Sequence, residues 1–460
     1  MTILPPLDLR MQNPRRLCLA LLLLTAACTA VGPDYRPPAM PLTAGYAEGG
    51  GTGPAGDVAQ DRWWTDFGDA RLDALVARGL AQNVDIQTAV ERLNAADAQV
   101  RAAGGAALVS GTVSADYARA RSQTGAISTD GSGTAAAVLV LDIFGGQRRA
   151  LESARAGFDA AAFDIGTARL AFLSSLVGNY IDARYAQEGL AISRNLAASR
   201  QETLNLVTQQ RELGTATELQ VVQAQALLDQ TRATIPALEK TFHTAVYAIA
   251  TLLAQPAAPI LAEMQRGGAQ PRPRRGSDAG VPADLLRNRP DVRAAERAYA
   301  GAIADVGVAE ADMLPAVTLS GTITAASRDT WSFGPALSLP VLNQPVLRAG
   351  RDAAASRARQ AELAWRGSVL SAVEDVQRAQ SAYLRDRREV AALAATARSY
   401  ARARDLSRET YEVGTTSFLD FLDAERSMGD AQRAVAVAVQ TLANDWVALQ
   451  IAAGRGWAAR

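Results

Sequence analysis

Two aspartates three residues apart, Asp420 and Asp423, are the side chains whose type and spacing most directly suggest chemistry. On a helix, positions i and i+3 face the same way, so the two carboxylates would form one acidic patch. Such a patch suits an exposed first turn, where acidic side chains complement the positive end of a helix dipole. From the residues alone that reading is favoured. Little else could carry catalysis. His243 is the one histidine and lies in a helical stretch, and the two cysteines, Cys18 and Cys28, both fall near the N-terminus. The sequence has no cluster with metal-ligand spacing, no histidine-paired nucleophile and no phosphate-cradling glycine loop. The expectation is a non-enzyme without cofactor or metal.

The acidic pair sits just past a turn, Tyr411-Glu-Val-Gly-Thr-Thr-Ser-Phe-Leu-Asp420, and that turn has a counterpart at Glu212-Leu-Gly-Thr-Ala-Thr-Glu-Leu-Gln220. Glu212/Glu412, Gly214/Gly414 and Thr215/Thr415 each differ by 200 in number (412 − 212 = 200). A helix–Gly-Thr–helix turn repeated at that distance implies an internal duplication. The counterparts of Asp420 and Asp423 in the first copy, Gln220 and Gln223, are uncharged.

Long runs flank both turns. From about residue 147 to 212 and from about 348 to 412 the sequence stays helix-compatible, roughly 90–100 Å at 1.5 Å per residue. Shorter return helices are expected over 217–253 and 417–453. Helices of that length need partner helices to cover them. A further helix is expected from Asp69 to near Gly104, where Leu72, Leu75, Val76 and Leu80 recur at three- and four-residue steps.

Ahead of each long helix the period changes. Val109, Gly111, Val113, Ala115 and Tyr117 alternate with Ser110, Thr112, Ser114 and Asp116, and Val317–Thr324 and Trp331–Leu339 do the same. These are strands with one apolar and one wet face. The polar stretch Ser122–Gly133 reads as a long loop within the first hairpin. The strands fit either a hairpin on a soluble core or membrane-spanning strands of about 9–11 residues.

The N-terminus carries Arg15-Arg16, the apolar run Leu17–Leu24, and Thr25-Ala-Ala-Cys28. This is a secretory signal, too short to span a membrane as a helix. The expected organisation is a signal peptide over 1–27, an extended tether over 28–62, and a first repeat over 63–255 with its strand pair at about 108–142 and tip at 213–215. A linker over 256–281 and a second repeat over 282–460, with strands at about 315–340 and tip at 413–415, complete it. With 47 basic and 47 acidic residues, the formal charge of zero argues against nucleic-acid binding. The alanine-rich, aromatic-poor composition suits packed helices.

Val31-Gly-Pro-Asp-Tyr35, Trp63-Trp64-x-x-Phe67, Leu141-Asp-Ile-Phe-Gly145, Arg289-Pro-Asp-Val-Arg-Ala-Ala-Glu296, Met313-Leu-Pro315 and Tyr411-x-Val-Gly-Thr415 occur in one order along nearly the whole chain. In these motifs the sequence resembles the TolC-like outer-membrane factor lipoproteins of tripartite efflux systems with RND-type transporters. The resemblance implies a mainly α fold with a membrane β-barrel. It further implies a homotrimer closing a 12-stranded barrel above a periplasmic α-helical tunnel, Cys28 as the lipidated first residue of the mature chain, and a Gram-negative outer-membrane location. Asp420 and Asp423 would line the periplasmic gate, braced by Tyr411, whereas Thr416 stands where relatives can carry an arginine. Leu213, Gly214 and Thr215, with Val413, Gly414 and Thr415, would dock a periplasmic adaptor (membrane fusion protein) that links to the inner-membrane transporter. The chain would then be a passive exit duct for drugs, small metabolites or metals. A type I protein-secretion conduit and a periplasmic coiled-coil scaffold or adaptor lipoprotein remain as alternatives.

Overall fold

The computed structural model describes residues 30–48, 56–274, 276 and 280–458. The leader, Cys18 and the expected lipid site Cys28 lie outside the described residues. The helices are α1 (Ala70–Gln82), α2 (Val84–Ala103), α3 (Gly146–Glu212), α4 (Glu218–Leu252), α5 (Ala257–Met264), α6 (Leu285–Asn288), α7 (Pro290–Ala311), α8 (Gln344–Glu412) and α9 (Phe418–Ala452). The strands are β1 (Val109–Arg121), β2 (Ile127–Leu141), β3 (Ala316–Ala325) and β4 (Thr330–Ser338). The duplication is visible in lengths: α3 has 67 residues and α8 has 69, while α4 and α9 have 35 each.

Two compact units are present, and each draws on both halves of the sequence. The first comprises residues 30–39, 92–161 and 295–365. Its strands form one antiparallel sheet in the order β1-β2-β3-β4, so the two hairpins, one from each half, join through β2 and β3. The ladder runs Val113↔Ala135↔Ile323↔Trp331, which puts every apolar member of the alternation on one face. On that face Val113, Tyr117, Trp331, Phe333 and Leu337 are exposed. The opposite face carries Thr112, Thr322 and Ser332, and Thr134 and Thr324 share a hydroxyl hydrogen bond of 3.2 Å. A sheet with its alternating apolar side chains exposed on one face is suited to lipid rather than water on that side.

Residues 30–39 carry neither helix nor strand, yet they are bound down. Gly32 takes φ +89°, and a Cβ there would fall 2.4 Å from Gly307 Cα, so only glycine permits this approach. Arg149 donates to the carbonyls of Val31 (3.0 Å) and Gly32 (3.2 Å) and to Asp34 (2.7 Å). Tyr35 donates to Glu296 at 2.7 Å and meets Tyr299 edge-on. The Val31–Tyr35 motif is thus an anchor point on the first unit.

The second unit comprises residues 40–91, 162–294 and 366–460. Its core holds Leu72, Leu75 and Val76 of α1, Leu173, Leu176, Val177 and Ile181 of α3, Val246 and Ile249 of α4, and Trp446 of α9. Each such side chain contributes about 1.5–3 kcal/mol on burial. Trp63-Trp64-x-x-Phe67 forms a short 3-10 turn, with Trp63 and Phe67 packed edge-on to Trp446 at 5.7 and 5.1 Å. Arg289 binds Asp291 and Asp375 and donates to the Ala452 carbonyl, which ties the start of α7 to α8 and α9.

Three expectations need correction. The helix expected from Asp69 to Gly104 breaks at Asn83, whose buried amide donates to the Leu252 carbonyl while its oxygen caps the N–H groups of Asp85 and Ile86. The long loop expected over Ser122–Gly133 is a short turn, because β2 already starts at Ile127 and pairs with β1 up to Arg121↔Ile127. The linker over 256–281 contains a helix, α5, with Ile260 and Met264 buried.

Candidate functional site: the helical-hairpin tips

The tips joining α3 to α4 and α8 to α9 have the same backbone. Gly214 has φ +77° and Gly414 φ +80°, a left-handed conformation that closes a helix C-terminus. After each glycine a threonine caps the preceding helix. Thr215 donates its N–H (2.8 Å) and its hydroxyl (2.9 Å) to Gln210 O, and Thr415 donates likewise to Thr410 O at 2.9 and 3.0 Å. This satisfies carbonyls that a helix end otherwise leaves open, which explains the recurring Gly-Thr pair. A Cβ at either glycine would meet nothing within 4 Å, so the constraint is conformational and not steric.

The return helices start on caps. Thr217 and Gln220 form a capping box at α4, and Ser417 accepts from the Asp420 N–H at α9. Leu213 and Val413 project at the two apices with 79% and 71% exposure. Leu219 and Leu419 are also exposed just past the turns. Both tips therefore present bare apolar side chains beside a turn of fixed shape.

Behind the apices the two hairpins share a small core of Val207, Ala224, Phe418, Phe421 and Leu422, with Tyr411 packed on it. Tyr411 stacks on Phe421 with centroids 5.5 Å apart and planes 10° from parallel. Its hydroxyl donates to Gln210 Oε1 at 2.6 Å, and this bond crosses from the second copy to the first. Burial pushes the Tyr411 phenol up, opposed by the bond to Gln210. Thr416 donates its hydroxyl to the Thr410 hydroxyl at 2.6 Å, so it braces its own turn.

Asp420 and Asp423 are both exposed and line a groove of about 760 Å³ between α4 and α9, with Gln223, Gln230, Leu419 and Arg426. Neither carboxylate stands alone. Asp420 accepts from the Ser417 hydroxyl at 2.7 Å, and Asp423 is ion-paired with Arg426 one turn on. Arg426 therefore offsets part of the charge that the sequence reading gave to the acidic pair. Its position three residues after Asp423 was a visible signal, whereas Gln210 could not be found because its partner lies in the other copy.

One further cluster lies deeper. Glu425 and Arg200 are each only 3% exposed. Glu425 accepts from the hydroxyls of Thr203 (3.2 Å) and Ser199 (3.3 Å), while Arg200 donates to Leu227 O (3.2 Å) and to the Thr231 hydroxyl. Burial pushes the Glu425 carboxyl up, opposed by the Thr203 hydroxyl and the Arg200 charge. The Glu425 contacts fasten α9 to α3, and the Arg200 contacts fasten α3 to α4. No group of three or more metal-ligating side chains occurs among the described residues.

Comparison with known proteins bears on the chain as a whole. The family model described as outer membrane efflux protein matches residues 75–255 and 281–455. The chain is 40% identical to Nodulation protein T of Rhizobium leguminosarum bv. trifolii, covering 95% of this chain and 96% of that protein. It is 30% identical to the pyoverdine export outer membrane protein OpmQ of Pseudomonas aeruginosa, covering 94% and 96%. Among solved structures, the outer-membrane channel OprN superposes with a TM-score of 0.84 at 32% identity, covering 93% of this chain and 99% of that one.

Proposed function

The chain belongs to the outer membrane efflux protein family and is an outer-membrane efflux channel, and from that premise we propose that three copies assemble into one duct gated at the second-copy tip. Each copy brings four strands with free edges at β1 and β4. Three such sheets, β1 against β4 of the next copy, close a 12-stranded barrel without exposed edges. The long helices of three copies line a tunnel through the periplasm. The observation that carries the reading is the sheet whose alternating apolar side chains share one exposed face, and the matched pair of helical-hairpin tips supports it.

In the closed state three Asp420/Asp423 pairs surround the aperture, each pair moderated by Ser417 and Arg426. The Tyr411–Gln210 bond holds the second hairpin against the first. Opening is an iris-like shift of the α8–α9 hairpin that gives up this bond, favoured by an adaptor that binds the shifted state more tightly. The adaptor grips Leu213–Thr215 and Val413–Thr415, and an inner-membrane RND-type transporter feeds it. Cys28 carries the lipid, and loss of fatty-acid labelling in Cys28→Ser tests that assignment.

Cargo is set by the transporter, and the similarity to pyoverdine-exporting OpmQ supports small secreted or toxic organic solutes over proteins. The test is complementation. In a strain lacking its own channel, this chain with its neighbouring adaptor and transporter should restore tolerance to small toxic organics. Restoration of protein secretion alone, alongside a secretion ATPase, would favour the type I conduit.

A further inference from the structure

The first hairpin is longer than the sheet it belongs to. Pairing of β2 with β3 ends at Gly133↔Ala325, while β1 and β2 continue together to Arg121↔Ile127. The apolar face can be followed along β2 from the row Leu141↔Val317↔Leu337 to the row Tyr117↔Gly131, a span of ten residues (141 − 131 = 10). At about 3.4 Å per residue this is roughly 34 Å along the strand. A tilt of about 35–45° leaves roughly 24–28 Å of height, the thickness of an outer-membrane apolar band. Tyr117 therefore marks the upper edge, as a rim aromatic does.

The next two outward positions on the same face are Arg119 and Arg121, both exposed. The charges of this projecting hairpin are sorted by face. Both arginines continue the lipid side, while Asp116 and Asp130 fall on the other side by the two-residue period. The hairpin turn is also the end of the sheet away from α2, α3, α7 and α8, hence the cell-surface end. Two guanidinium forks just above the rim match phosphates at headgroup depth, and Arg is suited to bidentate phosphate contact.

Resting on the channel reading, we propose that Arg119 and Arg121 form a binding site for the phosphates of the outer-leaflet glycolipid, lipid A, three such sites ringing the trimer. The sites would fix the barrel's depth and hold an annulus of phosphorylated lipid around it. The test uses the purified full-length trimer in detergent, with bisphosphorylated lipid A, its dephosphorylated form and phosphatidylglycerol as probes, read by native mass spectrometry. The wild type should bind bisphosphorylated lipid A at least tenfold more tightly than the dephosphorylated form, and more tightly than phosphatidylglycerol. Arg119→Gln/Arg121→Gln should lose that preference, and Arg119→Lys/Arg121→Lys should keep part of it. An unchanged preference in the glutamine variant, or equal binding of phosphatidylglycerol by the wild type, overturns the proposal. Should the glutamine variant not assemble, raising salt must weaken lipid A binding by the wild type, and salt-indifferent binding overturns it instead. Conductance of the variant trimer should stay at the wild-type value, so failure of the lipid site is distinguishable from failure of the channel reading.

Discussion

The hydroxyl of Tyr411 donates to Gln210 Oε1 at 2.6 Å, joining the last turn of α8 to the last turn of α3. The ring itself is held by Phe421 and Phe418, so the bond and the packing can be separated by mutation. Tyr411→Phe keeps the stack and removes about 1 kcal/mol of hydrogen bonding. The expected outcome is intact trimers with more frequent openings in single-channel records. Opening statistics equal to wild type would remove Tyr411 from the closing network.

Gly414 has φ +80° and open space around it. A β-branched residue there strains the backbone by about 1–3 kcal/mol without a clash. Gly414→Val should distort the apex while leaving trimers intact, reducing efflux-dependent tolerance at least severalfold. Full tolerance with the variant at normal levels would count against adaptor docking at the tip.

Glu425 and Arg200 are both buried, and Glu425 is held by the hydroxyls of Thr203 and Ser199. Truncating Glu425 removes the acceptor of the Thr203 and Ser199 hydroxyls, at a cost of about 1–3 kcal/mol. Glu425→Ala should make the tip of α9 sensitive to proteolysis, whereas Glu425→Gln, which can still accept from Thr203 and Ser199, should be far milder. Equal sensitivity in the two variants would show that the Thr203 and Ser199 hydrogen bonds are not what fastens the hairpin.

Asp445 of α9 is pushed up to about 7 by burial and by the adjoining Asp386 carboxyl of α8. A folded pKa above the ordinary aspartate value means stability is fully present below about pH 4 and is lost as pH rises through about 7. The group is partly solvated, so the effect is discounted to about 1 kcal/mol. Asp445→Asn should raise the apparent unfolding temperature at pH 8 and flatten its dependence between pH 5 and 8. An unaltered pH dependence would contradict the shared-proton pair.

The parts of this fold that were legible in the sequence are those where local pattern and tertiary role coincide. Val109–Tyr117 and Val317–Thr324 alternate because one face is apolar and the other wet, and that alternation alone gave strand and face. Gly214-Thr215 and Gly414-Thr415 announce their turns because backbone closure demands glycine and threonine hydroxyls cap the helix. Ile127–Gly133 was misread as loop because it lies largely beyond the apolar band, where a strand needs no apolar alternation to pair. The break at Asn83 is set by a distant carbonyl, Leu252 O, and helical periodicity continues on both sides of it. Asp420 and Asp423 stand out by spacing, whereas the contacts of Gln210 with Tyr411 and of Glu425 with Thr203 and Ser199 depend on how the copies pack.

The central claim is a pore whose periplasmic end is held shut by the second-copy tip, and single-channel conductance in a planar bilayer tests it most directly. Wild-type trimers should show a small conductance, and Asp420→Ala/Asp423→Ala, which gives up the Ser417 and Arg426 contacts together with the acidic rings, should raise it severalfold. A wild-type pore whose conductance does not change in the double variant would contradict the placement of the gate at Asp420 and Asp423.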